Sequence, residues 1–107
     1  MEITQTGILE VNLQNKSESV SIKSDEIIEK IVKALSSRTR RQILHHIQEE
    51  PMDVSNIAAS LNMTEANISA QIKKLEEAGL ITCDYASGDH GVRKLSKLKF
   101  SKLIIEF

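Results

Sequence analysis

Between Thr64 and Ala78, Ile68, Ile72 and Leu75 recur at helical spacing. The opposite face carries Glu65, Ala66, Asn67, Ala70, Gln71, Lys73 and Lys74. Asn and Gln bond adenine bidentately and Glu accepts from the cytosine amino group, so this face carries the chemistry of base reading in a major groove. Thr64 and Ser69 suit phosphate contacts, and both equally suit helix capping. Lys73 lies three and four residues before Glu76 and Glu77, where it serves either a phosphate or a solvated ion-pair face. Lys74, late in the same helix, fits the ion-pair face. Two further basic groups flank the stretch: Arg38, Arg40 and Arg41 before it, and His90, Arg93 and Lys94 after it. The first group suits phosphate contact, and the second suits the backbone or an adjacent minor groove. His90 serves equally well as a plain turn residue.

No constellation for catalysis accompanies these residues. There is no glycine-rich phosphate loop and no nucleophile in a recognisable setting, so an enzyme is not expected and no cofactor is implied. His45 and His46 are adjacent, about 100° apart around a helix, and make poor joint metal ligands. No metal is expected. Cys83 is the single cysteine, which excludes an intrachain disulfide and offers no zinc-finger spacing. On a strand without a resolving partner it reads as a small apolar side chain.

The elements that must position the reading face run from Asp53 to Leu80. Asp53 caps a first helix, and Val54, Ile57, Ala58 and Leu61 form its apolar side. Met52 and Ile57 make a hydrophobic staple across its start. Asn62 tolerates the left-handed conformation that ends such a helix. Thr64 caps the second helix, Met63 and Ile68 repeat the staple, and Gly79 stands where a terminating glycine is expected. Two helices this close make a helix-turn-helix, with residues 64–78 offered to the major groove.

The chain has 107 residues, 40% of them hydrophobic, enough for one small domain. Its formal charge is −1, from 14 basic and 15 acidic residues. Residues 1–35 hold four lysines against six acids, and residues 36–99 hold nine basic against eight acidic residues. Such a faint bias supports modest non-specific affinity for nucleic acid. No secretory signal is expected, nor any apolar run near the roughly 20 residues of a membrane helix, and the expected location is cytoplasmic.

In residues 1–23, Leu9, Val11 and Leu13 alternate with polar neighbours, and Val20 and Ile22 do so after Asn15-Lys16-Ser17. Either a β-hairpin or a mobile polar arm fits this segment, and a hairpin needs a neighbour to pack on. Ser24 then caps a helix with Ile27, Ile28, Ile31, Val32 and Leu35, a face wide enough to serve both the core and another subunit. A second helix starts at Ser36-Ser37 and runs to about Gln48. Its three arginines open it where the helix dipole disfavours cations, which points to a function such as phosphate contact. Leu80–Ala86 and Val92–Lys97 read as a hairpin around the turn Ser87–Gly91, forming a wing over 87–94. The apolar tail from Phe100 reads as a strand that must pair, with the N-terminal strand or with a second subunit.

The run ALSSRTRRQIL, the helix-turn-helix, and ISAQIKKLEEAGLI together resemble the ArsR-type winged-helix transcriptional regulators over about residues 34–99. The wing GDHGVRKL resembles a prokaryotic and archaeal subset with a Gly-x-His-Gly wing. The resemblance implies an α+β, mainly α, winged helix-turn-helix, with a β-hairpin wing and additional terminal strands. With the reading of the termini above, the chain divides into an arm or hairpin at 1–23, the winged helix at 24–99 and a strand-like tail at 100–107. The resemblance also implies a homodimer that binds palindromic duplex DNA, usually as a repressor. Three features depart from the family pattern. The paired cysteines of metal-sensing members are missing near Met52-Asp53-Val54, as is a C-terminal helix bearing Asp and His ligands. Ala70 stands where a basic or histidine side chain is common, which either reduces base reading or leaves it to Asn67 and Gln71. A winged helix used only for protein–protein interaction is the alternative.

Overall fold

The computed structural model describes residues 8–88 and 91–107. His90, with its wing role, lies outside the described residues. Among the described residues, four helices lie between the strands of two three-stranded antiparallel sheets. Strands β1 (Glu10–Gln14) and β2 (Ser19–Ile22) open it, followed by helices α1 (Asp25–Leu35) and α2 (Arg38–His46). Then come β3 (Met52–Asp53), α3 (Val54–Leu61), α4 (Glu65–Glu77), β4 (Ile81–Gly88), β5 (Gly91–Leu98) and β6 (Lys102–Glu106).

The N-terminal segment is a hairpin. Asn15 closes its turn, its side-chain oxygen accepting from the backbone N–H groups of Ser17 and Glu18, each at 2.9 Å. The neighbour that so small a hairpin requires is the C-terminal tail. β6 pairs with β1 on the side away from β2, with Leu13 opposite Leu103 and Val11 opposite Ile105. The tail strand is therefore paired within its own chain. Val11 and Leu13, central in this sheet, are buried and join the core.

The second sheet has the order β3-β5-β4. The wing strands run further than the hydrophobic pattern indicates, to Gly88 and from Gly91, so Ser87, Gly88 and Gly91 of the expected turn belong to the strands. Ladder bonds continue wherever facing backbones meet, whatever the side chains. β3 went unforeseen because two residues show no periodicity. It ties the start of α3 to the wing through Met52 opposite Ser96 and Asp53 opposite Leu95.

The core is mostly isoleucine and leucine from every helix. Ile28 and Ile31 come from α1, Ile43 from α2, Ile57 from α3, and Ile68, Ile72 and Leu75 from α4. α1 turns only part of its wide apolar face inward: Ile27 and Val32 remain 45% exposed. Of the expected Ser36-Ser37 pair, Ser37 caps α2, accepting from the Arg40 N–H; the helix ends earlier than expected, by Ile47.

α4 closes with a glycine motif. Gly79 has φ +76, its N–H donates to the Glu76 carbonyl, and the Leu80 N–H donates to the Leu75 carbonyl. A Cβ at Gly79 would meet nothing within 4 Å, so only the left-handed backbone resists substitution there. Gly79→Ala should therefore destabilise the fold by about 1–2 kcal/mol. Thermal unfolding should show a midpoint lowered by roughly 4–8 °C per kcal/mol, with Gly79→Asn in between.

Candidate nucleic-acid interface

α3 and α4 are joined through a left-handed residue. Asn62 has φ 56 and ψ 49, and the N–H groups of Asn62 and Met63 return to the carbonyls of Ala59 and Ala58. The Asp53 carboxylate accepts the Asn56 N–H at 2.8 Å, and the Thr64 hydroxyl accepts the Asn67 N–H at 3.1 Å. Both caps stand where the sequence pointed. With Ile68, Ile72 and Leu75 at most 1% exposed, α4 has one orientation open to it. Glu65, Asn67, Ser69, Ala70 and Lys73 are exposed on its outer side, and Gln71 is half-buried.

These side chains differ in how they are held. Glu65 accepts from the Ser55 hydroxyl at 3.1 Å, bracing α4 against α3. Gln71 donates to the Asn67 side-chain oxygen at 3.0 Å and accepts from Arg40 at 2.8 Å. Lys73 makes no ion pair with Glu76 or Glu77 among the described residues; Glu76 is instead 3.6 Å from Lys94. The helical spacing allows the pair, but the wing brings Glu76 a cation of its own.

Two of the arginines opening α2 have partners in the last turn of α1. Their clash with the dipole of α2 does not by itself mark a phosphate site. Only Ser36 and Ser37 separate α1 from α2, so this turn of α2 lies against the negative end of α1. Arg40 donates to the carbonyls of Lys33 at 2.9 Å and Ala34 at 2.7 Å, and Arg41 donates to that of Leu35 at 2.7 Å. Both cap α1. Arg38 is exposed and has no side-chain hydrogen bond or ion pair among the described residues. Sequence reasoning missed a neighbouring cleft of about 660 Å³, whose lining includes Lys30, Lys33, Arg40, Lys74 and Glu77. It joins α1 to α4 across more than 40 positions of chain, which no local spacing reveals.

On the wing, the Arg93 guanidinium meets the Asp53 carboxylate at 2.8 and 2.9 Å, and Lys97 meets Asp84 at 3.0 Å. Tyr85 and Val92 are 67% and 72% exposed on one wing face. Tyr85 was also passed over, although an aromatic among polar strand residues was a usable signal. Cys83 is half-buried, 3.6 Å from the buried Ser96 hydroxyl, and burial pushes its thiol pKa up. A protonated thiol at neutral pH suits the inert reading of this cysteine. His45 and His46 sit edge to face, 6.2 Å between ring centres, beside Arg38 and Arg41.

Asp53 joins the two halves of the interface, capping α3 and pairing with the wing. The Asn56 N–H above all, and then the bond and charge of Arg93, hold its pKa below the ordinary 3.8, against the opposing effect of burial. A depressed carboxylate pKa stabilises the fold above the unfolded-state value and loses that contribution as pH falls through the folded-state value. Asp53→Ala should cost about 1 kcal/mol at pH 7, chiefly through the lost cap. The gap in thermal midpoint between wild type and Asp53→Asn should close as pH is lowered from 5 to 2 in a calorimetric series.

Comparison with known proteins agrees with this geometry. A family model described as a helix-turn-helix domain matches residues 35–84. An uncharacterized HTH-type transcriptional regulator of Methanocaldococcus jannaschii is 27% identical over 77 residues, covering 72% of this chain and 81% of that protein. The homodimeric winged helix-turn-helix DNA-binding domain of a possible ArsR-family regulator from Mycobacterium bovis superposes with a TM-score of 0.61 at 25% identity, over 68% of this chain and 64% of that one. The crystal structure of another ArsR-family transcriptional regulator gives a TM-score of 0.58 at 27% identity, over 68% and 76% of the two chains. The order of elements, the cap chemistry of α3 and α4 and these likenesses make the chain similar to the ArsR-type winged helix-turn-helix transcriptional regulators.

Proposed function

We propose that this protein is a sequence-specific duplex DNA-binding regulator that acts as a homodimer, in the manner of a repressor. α4 enters the major groove, and the wing lies on the backbone or an adjacent minor groove. The observation that carries the reading is the exposed polar face of α4, held outward by its buried apolar stripe and braced at Glu65, Asn67 and Gln71. Asn67 and Glu65 face base edges with Gln71 supporting Asn67 from behind, while Thr64, Ser69 and Lys73 face phosphates or line the groove. Arg38 is the arginine of α2 best placed for phosphate contact. Arg40 and Arg41 keep their charge while capping α1, and on this reading they add to the local field.

On this reading the winged helix occupies 24–99, between an N-terminal segment at 1–23 that contains the β1-β2 hairpin and a strand-like tail at 100–107. The homodimer is proposed by likeness to the Mycobacterium bovis domain, together with the exposed apolar side chains Ile27, Val32, Ile105 and Phe107. A palindromic operator with half-sites about one helical turn apart would suit such a dimer. No helix among the described residues is long and apolar enough to cross a membrane, which fits the proposed cytoplasmic location. The second reading, a protein-interaction winged helix, draws support from Arg93 and Lys94, whose charges are paired with Asp53 and Glu76.

Fluorescence anisotropy over a salt series, against the duplex upstream of its own gene and a scrambled control, tests the proposal. Tight binding to one duplex, falling linearly in log salt, is expected. Arg38→Ala should weaken both duplexes and lower the slope by about one phosphate, while Asn67→Ala should weaken only the specific one. No binding at low salt by folded protein would favour the interaction module. Ile27→Lys with Val32→Lys should weaken self-association at least about tenfold by analytical ultracentrifugation, as buried interface apolar groups do.

A further inference from the structure

We propose that Asn67 is the base-reading side chain of α4, and that Arg40, acting through Gln71, fixes which way its amide faces. Arg40 is then a specificity-determining positioning residue. This rests on the reading of α4 as a DNA-reading helix, and it names the determinant within that helix.

The argument follows from which atoms can donate. A guanidinium has only donors, so the Gln71 atom 2.8 Å from the Arg40 Nη1 must be the amide oxygen, Oε1. The other end of that amide is then Nε2, a donor. Its partner at 3.0 Å must be the Asn67 oxygen, Oδ1. Asn67 is left with Nδ2 turned the other way, against no more than the Met63 sulfur at 3.7 Å. Neither amide can flip alone. A flipped Gln71 would put its NH2 group against the guanidinium, and a flipped Asn67 would put two NH2 groups together. Arg40 is itself immobilised by the carbonyls of Lys33 and Ala34, so the direction of the relay is anchored in the last turn of α1.

The two amides consequently take different roles. Gln71 is half-buried with both ends engaged, and it passes orientation along. Asn67 is exposed and keeps one Oδ1 lone pair beside the Nδ2 hydrogens. That pair matches adenine, which offers an N6–H donor next to the N7 acceptor in the major groove. Fixing the amide beforehand also removes the ordering cost of selecting one orientation on binding.

The test is selection from a random-sequence duplex library with the full chain, comparing wild type, Arg40→Met, Gln71→Leu and the double variant. Wild type should enrich a motif with a fixed adenine. Each single variant should relax that position by about tenfold and leave the other positions unchanged, and Gln71→Leu, which removes no charge, should also leave the salt dependence unchanged. The double variant should relax it no further, because one path is cut twice. Arg40→Lys should not restore the preference, since an ammonium cannot reach both the carbonyls and Gln71 with a planar fork. Gln71→Leu leaves the bonds of Arg40 to α1 in place, so a folding defect in Arg40→Met does not obscure the result. Variants that enrich the wild-type motif with undiminished adenine preference would overturn the relay while leaving DNA recognition intact. A wild type that enriches nothing would overturn the regulator reading itself, and the relay with it.

Discussion

Burial of one narrow stripe, Ile68, Ile72 and Leu75, decides how the rest of the molecule is arranged. All three are at most 1% exposed, and side chains of this size contribute about 1.5–3 kcal/mol each when removed from water. α4 has little else that is apolar. Rotating it by one residue would bring an isoleucine to the surface and force an amide or a lysine into the core. The other elements supply the walls of its slot: Ile57 and Ala58 from α3, Ile43 and Ile47 from the region of α2, and Leu80 and Ile81 entering β4. Because this slot admits one face, the opposite face must be presented to solvent, and the polar residues there become a surface of defined shape.

Helix ends are the second organising theme. The two-residue link between α1 and α2 sets the carbonyl end of one helix beside the first turn of the next. Arginines that look misplaced on α2 are well placed for α1, where they satisfy carbonyls that would otherwise lack partners. One of them, Arg40, also reaches Gln71, so a contact that closes a helix end also holds the polar face of α4. Asp53 repeats the economy at the other end of the motif, capping α3 while holding Arg93 of the wing.

These pairings shape the electrostatics of the interface. Arg93 is about half exposed, and Lys94 lies 3.6 Å from a carboxylate that is itself solvated. Exposed pairs of this kind are worth less than about 1 kcal/mol, so a phosphate can exchange for the carboxylate at small cost. Near-neutral overall charge therefore coexists with cations that a polyanion can recruit, and the pairing limits non-specific attraction more than it limits a fitted contact.

What the sequence by itself determined is the local chemistry. The caps at Asp53, Thr64 and Ser24, the left-handed Asn62, the terminating Gly79 and the apolar periodicity of α3 and α4 each involve residues within about five positions of one another. Nearest-neighbour rules are enough to read such features. The strand nature of the tail was legible for the same reason. The structure alone decided what spans the chain: β1 taking β6 as its partner rather than a second subunit, β3 joining the wing, Arg40 meeting Gln71, and Asp53 meeting Arg93. Those contacts close loops of 31 to 90 or more residues, and each depends on burial elsewhere bringing its two ends together. The spacing of charges along a sequence shows that a cation is present, but its partner is set by where the core places the neighbouring helix.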